Sequence, residues 1–89
     1  MLFDLGSIVA TPGVLAAFSG AGDNPAPFVV RHVRGDWGDL GAEDKRLNNA
    51  ALREGTRLLS AYHMADGTKF YIITEADRSV TTLLLPEEY

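Results

Sequence analysis

The hydrophobic pattern changes period once along the chain. Up to Gly55 apolar residues recur at helical spacing; beyond it they alternate or run together, as in strands. Thr11-Pro12 predicts a helix start, with Thr11 as N-cap and Pro12 in the first turn, where a missing N–H is no loss. Val14, Leu15 and Phe18 follow on one face, and Ser19-Gly20-Ala21-Gly22 closes the segment. Asp23-Asn24-Pro25 offers a second start, after which Phe28, Val29 and Val33 share a face with His32 between them. The best-defined helix runs from Ala42 to Glu54. Glu43 and Asp44 in its first turn and Arg53 in its last suit the helix dipole, and Gly55 stands at the C′ position. Leu47, Ala50 and Ala51 predict its apolar stripe.

Three strands are predicted after Gly55. They cover Thr56 to His63, Thr68 to Thr74 and Val80 to Leu85, joined through Ala65-Asp66-Gly67 and the polar reversal Glu75 to Ser79. Ser7 to Ala10 is a short apolar run that suits an edge strand or an extended lead-in. The expected fold class is α+β. Two or three N-terminal helices pack on a C-terminal three-stranded antiparallel β-meander, making a two-layer sandwich in a single domain over residues 1–89.

Composition narrows the function more than it names it. Eighty-nine residues support one modest core. Cysteine is absent, so disulfides and thiolate metal sites are excluded. The N-terminus carries Asp4 where a secretory leader would be basic, and no apolar run is long enough to span a bilayer, so a cytoplasmic location is expected. Eight Lys and Arg against twelve Asp and Glu leave a net charge of −4, which speaks against unaided binding to duplex DNA or an anionic membrane. A basic protein partner, including a nucleic-acid-binding one, suits that charge. The two His residues have no HxH or HxxxH spacing, and no metal or cofactor is implied.

The candidate chemistry gathers in two places. Phe28 to Leu40 holds the only Trp, together with His32, Arg31, Arg34, Asp36 and Asp39. His32 suits either a core histidine or a general acid–base, the latter needing an orienting carboxylate such as Asp36 or Asp39. Trp37, in a Gly-flanked turn, either plugs the core or anchors a partner, with Asp36 and Asp39 as an acidic rim. His63, near a hairpin end, is expected in solvent. The second place is Thr74-Glu75-Ala76-Asp77-Arg78, a charged turn in which Glu75 and Asp77 extend an acidic surface. A metal-independent ribonuclease would use His32 and Arg78, with Arg34 and the hydroxyls of Ser60, Tyr62, Thr74 and Thr82 converging on them: a base deprotonates the 2′-hydroxyl and cations hold the phosphorane charge.

The strings Arg31 to Leu40, Leu58-Leu59-Ser60-Ala61-Tyr62 and Ile72 to Tyr89, with the opening Val9-Ala10-Thr11-Pro12-Gly13, resemble a family of small bacterial proteins on plasmids, prophages and other mobile elements. Its members are labelled "plasmid-related protein" or, wrongly for chains this short, "type I restriction endonuclease subunit M". The family has no established activity. The resemblance implies an accessory gene of a mobile element concerned with host defence. No methyltransferase role follows, because a glycine-rich loop after a strand is missing.

Two functions are therefore expected to compete. The first is a non-enzymatic protein acting by stoichiometric protein–protein binding, most concretely an inhibitor of a restriction or CRISPR effector through Asp36, Trp37, Asp39, Glu75 and Asp77. The second is a ribonuclease or toxin-like enzyme of the barnase, RelE or EndoU kind, using His32, Arg78 and Thr74. An exposed strand edge in the meander makes the chain a monomer or a homodimer.

Overall fold

The computed structural model describes all residues from Met1 to Tyr89. Strand β1 (Ser7–Ala10) lies parallel to β4 (Val80–Leu84), with Ser7 opposite Val80 and Ala10 opposite Leu83. Helices α1 (Pro12–Ala21), α2 (Ala26–Val33) and α3 (Ala42–Glu54) come next in the chain, followed by β2 (Leu58–His63) and β3 (Lys69–Thr74). The sheet is four-stranded and mixed, in the order β1-β4-β3-β2.

This corrects the expected fold. The sheet is not a three-stranded antiparallel meander, and the helices do not all precede it; they lie between β1 and β2. The reason is that β1 carries no local signal of its pairing. Its partner is some seventy residues away, and the register is held by main-chain bonds, Ser7 N–H to the Ser79 carbonyl at 3.0 Å and Thr11 N–H to the Leu83 carbonyl at 3.1 Å. The α+β class stands. No helix is long and apolar enough to cross a membrane.

Local chemistry explains the helix ends. The Thr11 hydroxyl accepts from Val14 N–H at 3.1 Å and Gly22 closes α1 in the left-handed region. Helix α1 gives Val14 and Phe18, and α2 gives Phe28, to a core shared with Tyr62, Phe70 and Ile72 of the sheet. Phe18 and Phe28 stand edge-on to Phe70 at 4.9 and 5.0 Å between centroids, a favoured aromatic geometry.

Helix α3 packs differently from its predicted stripe. Leu47 is exposed, whereas Asn48 and Ala51 are buried, and Ala51 joins Trp37 and Leu58 in a second small core. Asn48 turns inward because its amide meets the outer edge of β2: Nδ2 donates to the Leu59 carbonyl at 2.6 Å and Oδ1 accepts from Leu59 N–H at 3.1 Å. Two residues on, Ala61 N–H donates to the Trp37 carbonyl at 3.1 Å and its carbonyl accepts from Asp39 N–H at 2.7 Å. Gly38, at φ 75°, lets these two backbones touch; a Cβ there would lie 2.0 Å from the Ala61 oxygen. The corner and α3 together close the β2 edge.

Candidate functional site

His32 occupies the last turn of α2, on the side facing the sheet, and is fully buried. Nδ1 lies 2.5 Å from the Ser60 hydroxyl and Nε2 2.9 Å from that of Thr74; Thr74 is 2.7 Å from Thr81, whose hydroxyl donates to the Leu5 carbonyl at 2.7 Å. For a neutral ring, one assignment gives every contact a proton. Thr81 donates to Leu5, Thr74 to Thr81, the imidazole Nε2–H to Thr74, and Ser60 to the unprotonated Nδ1. Both ring nitrogens are thus engaged. Phe3 and Trp37 pack edge-on against it at 5.2 and 5.8 Å. Burial lowers its pKa from 6.5 to about 4, since the charged form would lose its hydration.

The sequence grouped His32 with Ser60 and Thr74, and the structure brings those three together. It does not bring the rest of the proposed catalytic set to them. The Tyr62 hydroxyl donates to the Asp36 carbonyl at 2.6 Å, and burial pushes its pKa up to about 12. Thr81, not Thr82, completes the network. Arg78 turns to main-chain carbonyls instead: Nη1 donates to Thr56, Glu75 and Ala76 at 2.7, 3.0 and 3.2 Å, and Nη2 to Ala51 at 3.2 Å. It ties the β3–β4 turn to the end of α3, from a left-handed backbone with φ 61°. No recess in the surface is lined by His32 or Arg78.

The acidic positions are distributed around the molecule with partners of their own. Asp36 pairs with Arg31 Nε at 2.7 Å and accepts from Gly38 N–H at 3.1 Å; the guanidinium contact, chiefly, holds its carboxyl below the usual range. Arg31 in turn lies over the Tyr62 ring at 4.6 Å. Asp39 meets His63 Nδ1 at 2.7 Å, Glu75 lies 3.6 Å from Arg57, and Asp77 caps Ser79 N–H at 3.0 Å. Trp37 is 3% exposed and its Nε1–H donates to Asn49 Oδ1 at 2.9 Å, so it offers no surface to a partner. No group of three or more His, Asp or Glu side chains converges as a metal site would require.

A polar recess opens on the other face of the sheet. It measures about 620 Å³ and is bordered by Asp39 and Asp44, by Lys69 and Tyr71 of β3, and by Tyr89. Tyr71 and Tyr89 meet edge-on at 5.8 Å, and Arg57 stands 5.5 Å from the Tyr89 ring. Sequence reasoning missed the recess because Tyr89 arrives through the closing 3-10 turn Pro86–Glu88, and Asp44 through the first turn of α3.

No protein-family model, curated protein or solved structure matches this chain.

Proposed function

We propose that the chain is a non-enzymatic binding protein that acts stoichiometrically on a basic protein partner. Its most concrete form is an accessory protein of a mobile element that inhibits a nucleic-acid-binding defence effector. One observation carries this reading over the ribonuclease. The imidazole that would have to take a proton from a 2′-hydroxyl is sealed in the core with both nitrogens engaged, while carboxylates and aromatic rings border an open recess. A general base must come within hydrogen-bond reach of its substrate. Asp39 and Asp44 suit an Arg or Lys of the partner, and Tyr71 and Tyr89 suit its aliphatic stem or guanidinium plane.

The test is affinity capture from a host carrying candidate effectors, using wild type and the double variant D39K/D44K. The wild type is expected to retain a basic effector and release it as salt rises, and the double variant to retain none. Equal capture by both proteins would remove the recess from the mechanism. Cleavage of labelled RNA by wild type, lost in H32Q, would restore the enzyme reading.

A further inference from the structure

We infer that the chain forms a two-fold dimer through β1, whose free edge pairs antiparallel with the same strand of a second copy. The inference is independent of the recess and of any foreign partner.

The sheet has two edges and one of them is closed. Asn48 and the Trp37–Asp39 segment engage the outward main-chain groups of Leu59 and Ala61 on β2. At β1 the situation is reversed. Ser7 and Thr11 N–H groups bond to β4, so the main-chain groups of the even-numbered residues Ile8 and Ala10 point away from the sheet. No turn, loop or cap hydrogen bond reaches either of them. The strand also lacks the Lys, Pro or bulge by which proteins usually blunt such an edge.

A copy of β1 fits this edge with its own register. With Val9 on the two-fold axis, Ile8 faces Ala10 of the second copy and exchanges both hydrogen bonds with it, and Ala10 does the same with the other Ile8. All four outward groups of each strand are satisfied at once. The pair has no residue left over, because the two outward-facing residues are symmetric about Val9. An isologous contact needs just this self-complementarity.

The side chains agree. Ile8, Val9, Leu15 and Val30 are 53%, 45%, 52% and 45% exposed, half of the large apolar side chains that stand in solvent anywhere on the molecule. The side chains of Ile8, Leu15 and Val30 border one groove of about 420 Å³ along β1, between the strand and helices α1 and α2, whereas that of Val9, alternating with Ile8 and Ala10, stands on the opposite face of the sheet. Its lining is aliphatic, aromatic or proline throughout, so a second copy of a chain with net charge −4 meets no like charge there. Ile8 and Ala10 lie in register with Thr81 and Leu83, on the helix-covered face of the sheet. Residues opposite each other in an antiparallel pair point to the same face. The helix layers of both copies therefore lie on one side of a continuous eight-stranded sheet, with Leu15 and Val30 of each copy bordering the seam.

Cysteine cross-linking tests the register, and the absence of native cysteine makes it clean. V9C places two thiols across the axis at a non-hydrogen-bonded pair, with Cα atoms about 4.5 Å apart, within disulfide reach. S7C places them four residues out of step, roughly 13 Å apart. Mild oxidation is expected to link V9C as a dimer and to leave S7C unlinked. In sedimentation equilibrium the wild type is expected to be dimeric. I8P removes an outward N–H without touching the bonds to β4, and L15K charges the groove wall; each should raise the dimer dissociation constant by about tenfold or more while the far-ultraviolet circular dichroism stays unchanged. A wild type that is monomeric at every accessible concentration overturns the proposal. So does equal linking of V9C and S7C, or a folded I8P as tightly dimeric as wild type.

Discussion

Asn48 of α3 makes the same pair of hydrogen bonds to Leu59 that a neighbouring strand would make, accepting from its N–H and donating to its carbonyl. One side chain thereby substitutes for a strand at an edge that would otherwise template aggregation. It also explains why α3 exposes Leu47: an amide facing the sheet edge determines which way the helix rolls.

Replacing Asn48 by Ala should leave both Leu59 groups without partners. The expected loss is about 2–4 kcal/mol, with increased self-association through β2. Urea denaturation gives the first, and light scattering against concentration the second. A stable, non-aggregating N48A would show that water serves this edge equally well.

Acid sensitivity should trace to His32. Its folded pKa of about 4 lies below the 6.5 of the unfolded chain, so between these values the unfolded state binds more protons. The contribution of the neutral ring is complete above pH 6.5 and is lost as pH falls toward 4, to a total of about 3 kcal/mol. The lowered pKa of Asp36 acts below that window, because its ordinary value is already 3.8. Stability of wild type measured from pH 7 to pH 4 should therefore fall, and that of H32Q should fall much less. Parallel curves would assign the sensitivity elsewhere.

Two glycines with positive φ should respond very differently to alanine. At Gly38 a Cβ would collide with the Ala61 carbonyl oxygen at 2.0 Å, and the backbone cannot yield without breaking the Trp37–Ala61–Asp39 bonds. A loss of about 3 kcal/mol or more is expected. At Gly67, φ 88°, nothing lies within 4 Å, and only the left-handed backbone penalty of about 1–2 kcal/mol applies. Thermal melts of G38A and G67A compare the two directly; equal shifts would contradict the close approach.

Arg78 should behave as a structural staple. R78A removes all the carbonyl contacts at the end of α3 and should destabilise by about 2 kcal/mol. R78K should fall between R78A and wild type, since an ammonium cannot reach carbonyls on both sides as a planar fork does. If R78A melts with wild type, the staple contributes nothing.

Much of the local structure was legible in the residues. The α3 boundaries follow from Glu43, Asp44 and Gly55, and the α1 start from Thr11 and Pro12. The switch of period after Gly55 marks β2 to β4. The sequence placed His32 beside Ser60 and Thr74 only as part of a wider catalytic set with Arg78, Tyr62 and Thr82, and the contact with those two hydroxyls is the part that the structure contains. The consequence of that contact was not legible. Nothing local distinguishes an imidazole aimed into a cleft from one sealed beneath Phe3 and Trp37. Asn48 was hidden for a related reason, since a polar residue beside a Leu on a charged helix reads as solvent-facing.

By itself, then, the sequence determined the three helices and the strands β2 to β4, the α+β class and the lack of any cysteine or clustered basic chemistry, all of which depend on neighbours within one or two turns. Only the tertiary structure decided that Ser7–Ala10 is a strand parallel to Val80–Leu84, since that pairing spans nearly the whole chain. It also decided the standing of the corner from Phe28 to Leu40. Trp37 and His32 go inward, Asp36 is held by Arg31, and Asp39 reaches the open recess together with Leu40. Burial depends on what packs above a residue, and that is supplied by segments far away in the chain.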